Sequence, residues 1–349
     1  MKEAVGMKRT LAALLSLWTA LAILSGCASQ GGEPKTMVYY TYFDTVSYIY
    51  SYAPDSQTEF EANCALVSDI LEEYHRLFDI YHEYEGLVNL ATVNAHAGGA
   101  ALAVDEKLVT FLQEAKDLYG RTDGKMNVML GSVLKLWHDC RDAAEKGPEN
   151  AAIPSPSALQ AAAAHTDIDD LEIDAANSTV RIADPEASLD VGAVAKGYAV
   201  QRAAEALKSA GVSGYVLNIG GNIRSIGTKP DGSGWTTGVR DPADPAQFAA
   251  RVLLSDGSCV TSGSYERYFT VDGVRYHHII DPATQMPAGY FSSVTVLTED
   301  SALADALSTA LFCMPYEDGL ALVEKIGGVQ VLWITADGTQ YRTDGLPLL

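Results

Sequence analysis

Apolar residues recur at helical spacing through residues 58–80, where Phe60, Cys64, Val67, Ile70, Leu71, Tyr74, Leu77 and Phe78 form one stripe. The same criterion predicts helices over 106–119, closing at Gly120, and over 192–210, 301–312 and 317–326. Runs rich in β-branched and aromatic residues predict strands over 38–52, 171–183 (paired about a turn), 215–219, 251–261, 266–271, 274–280, 294–297 and 329–335. Asp272-Gly273 is a hairpin turn signal between two of them. Residues 142–166, rich in Ala, Pro and charge, read as an exposed connection with a short helix from Ser157. Strands and helices mix without a βαβ rhythm and no repeat is visible. The predicted class is α+β, with mixed or antiparallel sheets and packed helices.

The N-terminus departs from this pattern. Lys8 and Arg9 precede an apolar run from Leu11 to Leu24, and the chain then reads Leu24-Ser25-Gly26-Cys27. A basic start, a short apolar run and small residues at its end make a secretory signal, too short for a comfortable membrane span. Leu-Ser-Gly-Cys resembles the bacterial lipobox, which implies cleavage before Cys27 and a lipid on its sulfur. The expected organisation is a signal peptide over 1–26, a lipid-anchored polar tether over 27–36 and a catalytic domain over 37–349. Such a protein is extracytoplasmic and held at the bacterial membrane. Met7 is an alternative start, since the signal pattern begins there.

Composition narrows the partners. Of 349 residues 48% are hydrophobic, ample for a core, and the net charge of −21 excludes nucleic acid and bare anionic lipid as natural partners. Cys64, Cys140, Cys259 and Cys313 are widely and irregularly spaced, with no CxxC pair, and read as small core residues.

Four segments carry more Gly, Asp and hydroxyl residues at element ends than packing requires. In S-L-D-V-G-A-V-A-K-G-Y-A, 188–199, small residues allow close backbone approach and Lys196 near a helix start suits a phosphate; an ordinary strand–helix junction is the alternative. N-I-G-G-N, 218–222, offers a tight turn or a cofactor wall. T-S-G-S-Y-E-R-Y-F, 261–269, holds Glu266 and Arg267, which read as a structural ion pair. It leads to R-Y-H-H-I-I-D-P-A-T-Q-M-P, 275–287. Adjacent histidines on a strand point to opposite faces, so a zinc site sharing both is disfavoured against a base or plain strand. In A-D-A-L-S-T-A-L-F, 304–312, Asp305, Ser308 and Thr309 share one helix face. A carboxylate beside hydroxyls suits Mg²⁺; a dipole-favoured Asp with backbone-bonded hydroxyls is the alternative.

In this order and spelling the segments resemble the ApbE family of FAD:protein FMN transferases, together with F-D-T at 43–45 and L-F-D-I-Y at 77–81. The resemblance covers essentially the whole chain after the signal. It implies transfer of FMN from FAD to a Thr or Ser hydroxyl of a target protein, with Mg²⁺ and release of AMP. It implies a metal site of Asp305, Thr309 and the backbone oxygen of Ala193, with Ser308 a further ligand. The implied FAD site draws on Phe43, Tyr81, Lys125, Met126, Asn127, Asp190, Lys196 and Ile280, with Tyr81 and Met126 against the flavin ring. His278 is the implied base and His277 structural. Implied partners are flavin-bearing subunits of ion-pumping redox complexes and extracellular flavoproteins with a D-x-x-[S/T]-G-A-[S/T]-like motif. An FAD pyrophosphatase giving FMN and AMP, or an FAD-binding lipoprotein without turnover, would use the same residues. Three departures stand out: Asn127 where Asp is frequent, Gln285 for Gly after D-P-x-T, and E-Y-E-G-L-V-N at 83–89 for S-E-x-S-R-x-N.

Overall fold

The computed structural model describes residues 33–349; Cys27 and the segment read as a signal lie outside them. In chain order the strands are β1 (Lys35–Tyr39), β2 (Ser47–Ser51), β3 (Leu102–Ala103), β4 (Leu171–Asp174), β5 (Thr179–Ile182), β6 (Tyr215–Ile219), β7 (Asn222–Ile226) and β8 (Trp235–Arg240). They continue with β9 (Phe248–Leu254), β10 (Ser258–Gly263), β11 (Tyr268–Val271), β12 (Val274–His277), β13 (Ser293–Thr298), β14 (Gln330–Ile334) and β15 (Gln340–Arg342). The helices are α1 (Gln57–Phe78), α2 (Leu90–Ala95), α3 (Glu106–Arg121), α4 (Gly131–Lys146), α5 (Pro156–Ala163), α6 (Ala195–Ser209), α7 (Ser301–Phe312) and α8 (Tyr316–Ile326). Among the described residues no helix is long and apolar enough to cross a membrane.

An eight-stranded sheet in the order β1-β2-β6-β7-β10-β13-β14-β15 organises the chain. Each neighbouring pair is antiparallel, as the α+β expectation required. Both faces of the sheet are buried, which side-chain alternation makes visible. Ile49, Leu217, Val260, Val294, Val296, Val331 and Trp333 face the main core with α1, α6 and α7. Their neighbours Tyr48, Tyr50, Val216, Cys259, Leu297, Leu332 and Ile334 face a second core capped by the β8–β9 hairpin. A third cluster joins α4 and α5 to β11 and β12 through Trp137, Phe269 and Ile280.

Several boundaries moved from their predicted places. The 38–52 run is a hairpin, β1 and β2, whose connecting loop holds Phe43 and Asp44 at φ of 52° and 50°. β1 starts inside the segment read as tether. The 251–261 run is two strands in different sheets, broken at Asp256, which sits at φ 49°. α4 extends into the segment read as an exposed connection.

α1 starts on a capping box, with the Ser56 hydroxyl accepting from the Glu59 amide and the Glu59 carboxylate from the Ser56 amide. α6 has no cap from its own N-cap residue. Its orphan Gly197 amide donates instead to Asp305 Oδ2 on α7, 2.8 Å away. The two helices cross there so closely that a side chain at Gly197 would collide with the Ser301 carbonyl and Asp305 Cβ. Gly197→Ala is expected to cost roughly 1–3 kcal/mol, the usual penalty of overpacking, measured by denaturant unfolding. An unchanged unfolding midpoint would contradict this close crossing.

Candidate active site

The α6–α7 crossing opens onto a cavity of about 2720 Å³. It is lined by Phe43, Tyr81, Lys125, Met126, Asn127, Asp190, Ala193, Lys196, His278, Ile280, Asp305 and Thr309. Residues far apart in the chain and singled out from its sequence therefore line one cavity. Ser308 is not on it: its hydroxyl donates to the Asp305 carbonyl at 2.9 Å and pairs with Ser262 Oγ at 2.8 Å, one link behind Thr309.

Asp305 is 5% exposed. Burial raises its pKa, while Lys196, whose Nζ lies 3.7 Å from Oδ2, and the Gly197 amide pull it back. Among the described hydrogen bonds Oδ1 takes part in none. The Ala193 carbonyl, just ahead of the Val194 N-cap of α6, accepts no hydrogen bond among those of the described residues. Mg²⁺ prefers oxygen ligands and keeps water and substrate phosphates in its shell. The half-free Asp305 carboxylate, Thr309 hydroxyl and Ala193 carbonyl fit such an ion, and Lys196 beside them fits phosphate oxygens.

The two histidines separate cleanly. Around His277, the Ala288 carbonyl at 3.0 Å requires a donor at Nε2, and the Ile279 amide donates to Nδ1 at 3.2 Å. Both nitrogens are committed, the ring is neutral, and His277 is structural. For His278, the Arg267 carbonyl 3.1 Å from Nδ1 can only accept, so Nδ1 carries the proton and Nε2 keeps its lone pair. His278 retains partial exposure to the cavity, yet burial first, then the Arg267 guanidinium, push its pKa down to about 3. An anionic ligand in the cavity works in the opposite direction.

The segments expected to bind flavin are built by short-range bonds. Asp79 follows α1, and its carboxylate accepts from the Tyr81 and His82 amides at 2.7 and 3.0 Å and from the Tyr84 hydroxyl at 2.9 Å. Burial alone would raise the Asp79 pKa, but these donors overrule it and the net shift is downward. The turn leaves the Tyr81 ring 62% exposed, an aromatic face free to stack. Phe43, in the left-handed region, is held by its amide donating to His75 Nδ1 at 3.3 Å. Met126 is only 1% exposed and backs the wall rather than covering it. Lys125 spends its charge on Asp281, 2.9 Å away, and so ties this segment to the turn after Ile280.

Two departures from the family spelling have physical counterparts. Asn127 donates its amide to the Thr166 carbonyl at 2.9 Å and accepts from the Met129 amide at 2.9 Å. An aspartate could not make the first bond. Gln285 sits at φ 56°, the left-handed conformation that favours Gly, and holds it by donating to the Pro282 and Ala283 carbonyls. In the third, Asn89 donates to the Arg76, Asp79 and His82 carbonyls and so ties down the Tyr81 turn.

The structure adds two residues. His138 on α4 lines the cavity, with Nδ1 at 3.4 Å from the Tyr81 hydroxyl and 3.9 Å from Asp190 Oδ2. Arg267 also lines it, and the expected ion pair with Glu266 is absent among the described residues. No local pattern marks His138, which meets Tyr81 across 57 positions of chain.

Two buried helices crossing over a carboxylate, with a lysine, an unprotonated imidazole nitrogen and an exposed aromatic ring around them, define a site for transferring a phosphate-bearing aromatic ligand. The ApbE family model matches residues 43–333. The FAD:protein FMN transferase of Treponema pallidum is 33% identical over 91% of this chain and 90% of its own length. That of Vibrio cholerae is 34% identical over 78% and 79%. The crystal structure of the ApbE protein of Thermotoga maritima superposes with a TM-score of 0.78 at 29% identity, over 89% of this chain and 97% of its own. This chain is thus a flavin transferase. It belongs to the ApbE family.

The histidine geometry has a consequence for stability. With a folded pKa near 3 against an ordinary 6.5, His278 binds fewer protons in the native state than in the unfolded one between those values. Stability therefore falls as pH drops through that window. His278→Gln is expected to flatten the decline of the unfolding midpoint between pH 6.5 and 4 in ligand-free protein, about one histidine's share. An identical slope in wild type and variant would show that His278 is not held neutral.

Proposed function

We propose that this chain transfers FMN from FAD to a Thr or Ser hydroxyl of a target flavoprotein, with Mg²⁺ and release of AMP. The observation that carries this reading is the convergence of the His278 lone pair, Lys196 and the half-free Asp305 carboxylate on one cavity. When bound, Mg²⁺ supplies charge neutralisation on the pyrophosphate oxygens. Lys196 and Arg267 bind and orient the same oxygens; Tyr81 stacks the flavin. The acceptor oxygen attacks the FMN-side phosphorus, its proton passes to His278 Nε2, and the bond to the AMP oxygen breaks. A positioned base of this kind is worth about 10²–10⁴-fold. The cavity exceeds the roughly 300–1,000 Å³ of ordinary small-molecule pockets, which leaves room for an acceptor segment beside FAD.

Asp305→Ala should reduce Mg²⁺-dependent FMN transfer by about 10²-fold or more, since it removes the proposed metal's charged ligand. The assay incubates FAD, Mg²⁺ and a flavodomain bearing an acceptor Thr, then asks whether flavin stays with the denatured flavodomain and whether AMP appears. Wild-type rates in the variant would sink the metal assignment; AMP without protein-bound flavin would favour a pyrophosphatase.

We further place the enzyme outside the cytoplasm, anchored by a lipid on Cys27. Support comes from the basic, apolar and Leu-Ser-Gly-Cys pattern of residues 8–27. Cys27→Ser is expected to move the protein from the membrane fraction to the soluble fraction of cells. Membrane retention of that variant would refute the anchor.

A further inference from the structure

The β8–β9 hairpin has two outer edges with different fates. The β9 edge is covered by the C-terminus: the Leu253 amide donates to the Pro347 carbonyl at 2.9 Å and the Leu349 amide to the Arg251 carbonyl at 3.0 Å. The β8 edge pairs with no strand among the described residues. It lies along the open cavity instead. Trp235, Thr236, Thr237, Gly238 and Arg240 of β8 line the same cavity as His278, Asp305 and Thr309. An open edge is a template for another extended chain, and proteins normally blunt one that has no use.

β10 runs between the two ends, with Cys259 toward the β8–β9 side of the sheet and Val260 toward the α7 side. Cys259 to Gly263 all line the cavity, and Ser262 Oγ lies 3.5 Å from Thr309 Oγ1 at the far end. At about 3.3 Å per residue this stretch of strand is roughly 13 Å long, the reach of a four- to five-residue extended segment. None of the flavin-site residues Phe43, Tyr81, Lys125, Asp190 or Ile280 belongs to the β8 end.

Charge gives the occupant its chemistry. The chain has 45 acidic and 24 basic residues, yet Lys229, Arg240 and Arg251 line this end and none of them joins an ion pair among the described residues. Lys229 lies over the Trp235 ring and Arg251 over the Phe248 ring, each 5.8 Å from the centroid. Of the carboxylates near this end, Asp231 is occupied by the Ser233 amide and hydroxyl, while Glu266 joins no ion pair among the described residues.

We infer that the β8 edge docks an extended, carboxylate-bearing segment of the acceptor protein, which adds to β8 as a strand and passes along β10 to bring its hydroxyl to the Asp305–His278 site. Backbone pairing supplies affinity and the three cations supply orientation and selectivity. The inference rests on the proposed transfer to a protein hydroxyl, but its test does not require turnover.

The probe is an eight-residue peptide with Glu and Asp flanking a central Thr, compared with a Lys-flanked counterpart, added to the full chain without FAD. Hydrogen exchange of the 235–240 amides is expected to slow about tenfold or more with the acidic peptide only. Lys229→Glu/Arg240→Glu should abolish that protection, while FAD affinity, followed by flavin fluorescence, and the melting temperature stay unchanged. Absence of protection at saturating peptide, or equal protection by the Lys peptide, overturns the inference. So does protection by FAD alone, or by self-association at higher protein concentration, which would make the edge a nucleotide subsite or a contact between copies. Intact β8 protection without flavin transfer would instead count against the proposed transfer and leave the docking edge standing.

Discussion

The site depends on one contact, the Asp305 carboxylate against the amide of Gly197. A buried carboxylate costs several kcal/mol after relaxation unless donors and cations compensate it. Here the compensation is structural: the uncapped N-terminus of α6 supplies an amide and the positive end of its dipole, and Lys196 supplies a charge. The absence of a side chain at Gly197 lets the helices approach closely enough for this to happen. One hydrogen bond thus anchors α7 to α6 and fixes the buried carboxylate beside the cavity.

Elements whose ends carry their own signals were legible in the sequence. α7 begins and ends where the pattern places it because Asp300 caps it and Asp305, Ser308 and Thr309 mark one face. α1 was visible through its apolar stripe, and the structure adds the capping box that starts it. α4 was not: its N-cap is Leu130, which makes no side-chain cap, and its charged end merged with the Ala- and Pro-rich stretch that follows. β8 holds a glycine between turn-rich segments, and β9 and β10 read as one run because a single left-handed residue, Asp256, divides them. Spelling brought most of the site's residues together. What it lacked was pairing: His138 beside Tyr81, and Arg267 turned to the cavity instead of Glu266, are decided by tertiary packing alone.

Backbone geometry that is costly elsewhere recurs around this cavity. Phe43 and Asp44 adopt left-handed conformations in succession, and Gln285 adopts one in the turn after Ile280. Each such residue costs of order 1 kcal/mol and persists only where its surroundings over-determine it. His75 restrains Phe43, and the Lys125–Asp281 ion pair together with the Trp137 indole, which donates to the Gln285 carbonyl, restrains the other turn. These restraints come from three elements that are distant in the chain. The strain is therefore carried by the packed fold, and the loops inherit a fixed geometry from it.

The electrostatics of the cavity make sense only with an anion in it. Ligand-free, it sets the Lys196 ammonium beside a half-compensated carboxylate and the Arg267 guanidinium beside a histidine held well below its ordinary pKa. A pyrophosphate would satisfy both cations at once and raise the His278 pKa toward the range where a base is effective. A base competent only when the dinucleotide is bound would leave the empty site inert toward other hydroxyls. The asymmetry of the two histidines serves that arrangement. Fixing His277 by two backbone partners sets the strand end, and a single partner on His278 leaves one nitrogen, in one tautomer, open for the proposed role of base.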